Sequence, residues 1–195
     1  MTALPASRSG ATTTGTTRRA HVVPAGGGDR SVEVLRGGSG ALRIERADPG
    51  EPGPLALLTA HLALMRAISP PESVHALDLV ALRGPDIVFL ALREGGETIG
   101  IGALKRPVGG DPAHGEIKSM HTAVAHRGRG IGRTMLGALL AEARAAGAKR
   151  LSLETGSTAH FAPARALYAA HGFGDCGPIA GYGPDPHSHF MTRAI

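Results

Sequence analysis

Between residues 127 and 133 the chain reads Arg-Gly-Arg-Gly-Ile-Gly-Arg, three glycines at alternate positions interleaved with arginine. The pattern changes period across this stretch. Upstream, Glu116-Ile117-Lys118-Ser119-Met120-His121-Thr122 reads as a strand. Downstream, Ile131, Met135, Leu136, Leu139, Leu140 and Ala143 recur at helical spacing, and Gly147 is placed to end that helix. At a strand-to-helix junction the first N–H groups of the helix lack intrahelical partners, and the helix dipole favours negative charge. Glycines let the main chain approach a phosphate closely, and the arginines add positive charge. The junction is therefore an anion site whose natural guest is a diphosphate. It also commits the chain to an α/β fold with a mixed sheet.

Three phosphate loops compete for this pattern. A dinucleotide-binding loop needs a third glycine where Arg133 stands, and a preceding parallel strand–helix–strand unit. A Walker-type loop needs Gly-Lys-Ser/Thr. Gly132-Arg133-Thr134 imitates its end, but Arg133 replaces the lysine and Arg127 stands where the earlier glycine belongs. The third pattern, Arg/Gln-x-x-Gly-x-Gly/Ala, is met by Arg127, Gly130 and Gly132. Together with its strand and helix, the stretch from Glu116 resembles motif A of the GNAT superfamily of acetyl-CoA-dependent N-acetyltransferases. Ala164-x-x-Leu167-Tyr168-x-x-x-Gly172-Phe173 is similar to a second GNAT signature. The runs Leu153–Gly156, Phe161–Ala164, Cys176-Gly177-Pro178, Asp185-Pro186 and Phe190-Met191 resemble one bacterial GNAT subgroup. The resemblance covers roughly residue 41 to the C-terminus.

The resemblance implies a GNAT fold, with a mixed central sheet of about six to seven strands flanked by about four helices. It implies acetyl-CoA as co-substrate and no metal. Arg127, Gly128, Arg129, Gly130, Ile131, Gly132 and Arg133 would hold the pyrophosphate. Main-chain groups of Met120, His121 and Thr122 would bond the pantetheine arm, one N–H polarising the thioester carbonyl. Tyr168 stands where many GNAT enzymes keep a tyrosine near the sulfur, which implies a proton donor to the departing thiolate. Attack needs a neutral amine, and a lysine-like ammonium has a pKa of about 10.4. A base is therefore expected: Glu116 through a water, with Glu154 as the alternative. Many family members carry Asn seven residues before this tyrosine; here the position is Phe161, with His160 or Thr155 as substitutes for the contact. The expected reaction is acetyl transfer to a primary amine of a small molecule or peptide, by direct attack in a ternary complex. The alternative is an acyl-CoA-binding sensor of the same fold with little turnover.

The rest of the chain is organised around this centre. Residues 1–40 are rich in Thr, Gly and Ser, show no sustained apolar period, and read as a disordered leader before a domain spanning 41–195. Leu42 and Ile44 alternate on a first strand, and Leu55, Leu58, Leu62 and Met65 form a helical stripe starting near Pro54. Ser69-Pro70-Pro71-Glu72 ends that helix, and a short helix over 74–82 follows. Residues 87–92 and 98–105 form a hairpin around Glu94-Gly95-Gly96-Glu97. Residues 151–154 and 188–192 are strands, and 164–170 is a helix stopped by Gly172.

The net charge of +5 does not point to nucleic acid. The leader holds five arginines against Asp29 and Glu33, leaving sixteen basic against fourteen acidic residues elsewhere, and aromatics for stacking are scarce. No apolar run has the length of a membrane span, and no secretory h-region is present. A single cysteine, Cys176, fits a reducing compartment, so a cytoplasmic location is expected. His187 and His189 have metal-like spacing without a third ligand, and read as solvent-exposed. Glu72, Ser73 and His75 are a candidate acceptor cluster or an ordinary capped loop. A homodimer is one option for the assembly.

Overall fold

The computed structural model describes residues 21–23, 32–37, 40–68, 70 and 78–195, with side chains described from residue 41 onward. The strands are β1 (His21–Val23), β2 (Val32–Gly37), β3 (Gly40–Arg46), β4 (Ile87–Glu94), β5 (Glu97–Lys105), β6 (His114–Thr122), β7 (Arg150–Gly156), β8 (Gly174–Cys176) and β9 (Ser188–Ala194). The α-helices are α1 (Pro52–Ile68), α2 (Ile131–Ala145) and α3 (Ala162–Ala170). One sheet runs β1-β2-β3-β4-β5-β6-β7-β9-β8, and among the described residues only the β6–β7 pair is parallel. Among the described residues no helix is long and apolar enough to cross a membrane.

Helices cover both faces of the sheet. On one face α2 buries Met135, Leu136, Leu139 and Leu140 against Leu90, Leu92, Ile99, Leu104, Ile117, Leu151 and Leu153, and α3 adds Tyr168. On the other, α1 contributes Leu58 against Phe89, Ile101 and Ala103, with Leu82 beside them. β5 lies between both layers, which is why Thr98–Leu104 is buried without interruption and reads as a continuous apolar run.

Several expectations shift. The sheet does not begin at residue 41, since β1 and β2 lie inside the segment read as a leader. An open edge of β3 is a template for pairing, and the short Val32-Glu33-Val34-Leu35 alternation carries too little apolar signal to stand out. Among the described residues there are three α-helices, against about four expected. Of the 74–82 helix, 74–77 fall outside the described residues, and a single 3-10 turn is found at Ala81–Arg83. The α1 stripe is rotated: Leu55 is 37% exposed, whereas Pro54 and Leu58 are buried. β8 is an addition to the expected strands.

Two features position the site. The β6–β7 ladder runs only from His114–Arg150 to Ile117–Leu153, after which β7 continues against β9 and β6 runs on without it. The strands thus splay from Lys118 onward. On its other side β6 bulges: Ile101 faces His121 and Ala103 faces Lys118, so Ser119 and Met120 share Gly102 as their opposite number. Ser119 takes the left-handed conformation (φ 51°), rare for a residue with a Cβ. α2 presses on Gly102: an added Cβ would lie 3.0 Å from Leu139 Cδ1 and 3.1 Å from Met135 Cγ, so those side chains would have to give way.

Candidate active site

The splay opens into a cleft of about 730 Å³. Its walls come from β6 (Ile117–Thr122), the glycine–arginine loop, the end of β7 (Glu154–Gly156), α3 (Tyr168, Leu167), and α1 (His61, Leu64, Met65). Of the residues expected to hold acetyl-CoA, Met120, His121, Thr122, Arg127, Gly128, Gly130, Ile131, Gly132 and Arg133 all line it. Gly130 is the N-cap of α2 in the left-handed conformation (φ 81°), a geometry that leaves the first N–H groups of the helix facing outward. An added Cβ on Gly128 or Gly130 meets no protein atom within 4 Å, so the loop stands clear of the fold with room for a phosphate. These residues fit an acetyl-CoA diphosphate on the loop and a pantetheine arm along the edge of β6 that β7 has left.

Arg129 departs from the expectation. It does not line the cleft; its guanidinium is turned to Glu94 Oε1 at 2.8 Å and to His126 Nδ1. The carboxylate at the end of β4 thereby ties the loop to the β4–β5 hairpin, and raises the guanidinium pKa.

Tyr168 lines the cleft from α3 while only 6% exposed, its ring edge-on to Phe173 with centroids 5.9 Å apart. Its hydroxyl has only a weak contact, to Met120 Sδ at 4.0 Å. Burial pushes its pKa up to about 12, so it is a protonated donor throughout the physiological range. Phe161, the departure from the family pattern, packs over Gly156, where an added Cβ would overlap its ring; His160 and Thr155 line the cleft beside it.

The two carboxylates part company. Glu116 is 3% exposed and does not line the cleft; its Oε1 accepts from Tyr182 Oη at 2.6 Å and from Lys118 Nζ at 3.2 Å. Lys118 also bonds the Tyr182 hydroxyl. Burial, then the Glu116 charge, holds the Tyr182 phenol far above its ordinary pKa. Glu154 does line the cleft, and accepts from Ser188 Oγ at 2.5 Å. Lys118, Tyr182 and Ser188 carry no local sequence signal, because their contacts join residues as far as 34 to 66 positions apart.

His61 is a further residue that the sequence pattern does not single out. It faces the cleft from α1, its ring 5.3 Å from that of His121. Burial is the larger cause that holds both at about 4; the smaller cause is His121, when protonated, for His61, and Arg127 for His121. The remaining candidates separate. His187 lines the cleft, but His189 pairs with Asp175 at 2.9 Å, and no group of three metal-binding side chains exists among the described residues. Cys176 is half-buried outside the cleft, and burial raises its thiol pKa. Glu72, Ser73 and His75 fall outside the described residues.

Comparison with known proteins agrees with this geometry. The chain belongs to the acetyltransferase (GNAT) family, whose model matches residues 56–173. It is 50% identical over 141 residues to the uncharacterized N-acetyltransferase YsnE of Bacillus subtilis (strain 168), covering 72% of this chain and 91% of that protein. A solved structure from Klebsiella pneumoniae, described as an acyl-CoA N-acyltransferase, superposes with a TM-score of 0.63 at 31% identity, covering 77% of this chain and 95% of that one. The fold of the acetyltransferase yncA from Salmonella typhimurium, solved with its cofactor acetyl-CoA, matches with a TM-score of 0.59 at 22% identity, over 78% and 93% of the two chains. The chain is thus an acetyl-CoA-dependent acyltransferase.

Proposed function

We propose that the chain moves the acetyl group of acetyl-CoA to a primary amine of a small molecule or peptide, by direct attack in a ternary complex. The observation that carries this reading is the continuity of one cleft from the Arg127–Arg133 loop, past the unpaired edge of β6 and Tyr168, to walls from α1 and β7. A cleft of that reach has room for both substrates at once. A covalent acyl-enzyme is disfavoured because the sole cysteine lies outside it and its thiol is held protonated.

Acetyl-CoA supplies a thioester carbonyl open to attack. Arg127, Arg133 and the loop N–H groups hold its diphosphate, and a main-chain N–H group of the β6 bulge stabilises the developing oxyanion. Tyr168 hands its proton to the departing sulfur. Glu154 draws the acceptor's ammonium group toward the cleft, while Glu116 holds Lys118 and Tyr182 in place as a buried ion pair and phenol. Glu116, expected as the base, lies outside the cleft, accepts from two donors on Oε1, and would strand a buried ammonium if it took a proton.

The test is acetyl-CoA consumption against amino acids, polyamines, aminoglycosides and peptide N-termini, with the N-acetyl product identified by mass. Acetylation of one amine class supports the reading. Tight acetyl-CoA binding with no turnover on any class favours the sensor.

A further inference from the structure

Where α1 meets β6, the cleft carries two imidazoles that the roles above do not use. His61 lies one turn beyond the buried Leu58, and His121 sits in the run of β6 that β7 has left. Their ring planes are tilted by 55° at a centroid separation of 5.3 Å. Among the described residues neither ring has a hydrogen-bond partner, and His61 Nδ1 is buried without one. An unsatisfied buried nitrogen costs about 1–3 kcal/mol, so a native site that keeps one has a use for it. Both rings are neutral at pH 7, and a neutral imidazole can accept a proton.

We propose that this pair is the proton acceptor of the transfer reaction, with His121 taking the proton of the attacking amine. Burial is the larger restraint on a proton at His121, and a diphosphate held by Arg127 removes the second, the repulsion from that guanidinium. The inference rests on the acetyl-transfer reading. The acceptor's ammonium first gives one proton to solvent; the neutral amine nitrogen then forms the new C–N bond as the C–S bond breaks, its next proton passes to His121, and Tyr168 protonates the sulfur. The proton on His121 then returns through solvent to Tyr168, so that one proton has moved from nitrogen to sulfur. His121 is better placed than either carboxylate. Glu116 lies outside the cleft with two donors on one oxygen, and Glu154 is engaged by Ser188.

The charged and titratable groups facing His121 are His61 from α1 and Arg127 from the loop. Elsewhere on the same cleft stand Lys118, Arg133, Glu154, His126, His160 and His187, so a pH profile of activity alone would not isolate one ring. The experiment therefore reads His121 directly, by NMR titration of the full chain labelled at histidine, with and without saturating CoA. His121 should titrate near 4 alone and about one pH unit or more higher with CoA, and Arg127→Ala should raise it without CoA. On the acceptor found by the amine screen, His121→Gln should lower kcat about 100-fold while KM for acetyl-CoA stays within about 2-fold. If His121→Gln does not fold, His61→Gln should give a loss of about 10-fold with the same unchanged KM. A titration unmoved by CoA, or kcat retained within about 3-fold, overturns the role while leaving acetyl transfer intact. Failure of every amine to be acetylated overturns the transfer reading itself, and the role with it.

Discussion

Replacing Tyr168 by phenylalanine removes one oxygen and almost nothing else. The ring stays edge-on to Phe173 at 5.9 Å, and the hydroxyl takes with it only a weak interaction with Met120 Sδ at 4.0 Å. A buried hydroxyl with so poor a partner contributes little net stability, so Tyr168→Phe should change unfolding free energy by no more than about 0.5 kcal/mol. In thermal melts that is a shift of about 2 °C or less. Loss of a positioned general acid costs about 100-fold or more in turnover, equivalent to about 2.7 kcal/mol of barrier. The hydroxyl takes no part in holding the diphosphate, so KM for acetyl-CoA should stay within about 2-fold. Steady-state kinetics with CoA release followed by a thiol reagent measures both numbers. The pH dependence gives a second check. With the phenol held at about 12, Tyr168 remains a donor up to the highest pH the protein tolerates. No alkaline fall in kcat between about pH 7 and pH 10 should therefore disappear in the variant. Turnover within about 3-fold of the parent protein would remove Tyr168 from the mechanism, and a parallel rise in KM would make it a binding residue instead.

Three further outcomes follow from the same structure. His61 and His121 titrate at about 4 folded against 6.5 unfolded, so the unfolded chain binds more protons between those values. Stability present above pH 6.5 is then lost as pH falls toward 4: about 3 kcal/mol from His61 and, with solvent screening at the half-buried His121, about 4 kcal/mol for the pair. Urea midpoints at pH 7 and pH 4 measure it, and a double His→Gln variant with the same slope would refute it. Arg129→Ala should weaken acetyl-CoA binding only about 3-fold, because its guanidinium serves the loop through Glu94. Arg127→Ala should cost about 10-fold or more, and equal losses by calorimetry would contradict this division. Gly102→Ala places a Cβ 3.0 Å from Leu139 Cδ1 and should cost about 1–3 kcal/mol, visible as a lowered Tm. An unchanged Tm would show that α2 can yield there.

What the sequence disclosed follows from how each half of the cleft is built. The cofactor half is one contiguous run, β6, loop and α2, in which apolar period, glycine spacing and charge all change within 20 residues or so, and its lining residues are nearly all legible. Arg129 is not, since nothing local says which arginine of an alternating loop turns toward Glu94, 35 positions away. The acceptor half is assembled from α1, β7 and the approach to β9, and α1 shows why such a wall is hard to read. Leu55, Leu57, Leu58, Leu62 and Leu64 occupy about half of the helix circumference, so leucine spacing alone selects a half of the helix and not the narrower face that is buried. The sheet selects it. At about 100° per residue, Pro54, Leu57, Leu58, His61 and Met65 fall within an arc of about 100°, and His61 is at its centre. A histidine in that position escapes a search for apolar period, and its partner His121 belongs to a strand 60 residues away. The co-substrate was therefore readable from one stretch of chain, whereas the groups proposed to take the acceptor's proton become visible only when α1 and β6 are brought together. The chemistry of the donor is encoded locally in this fold, and that of the acceptor by tertiary packing.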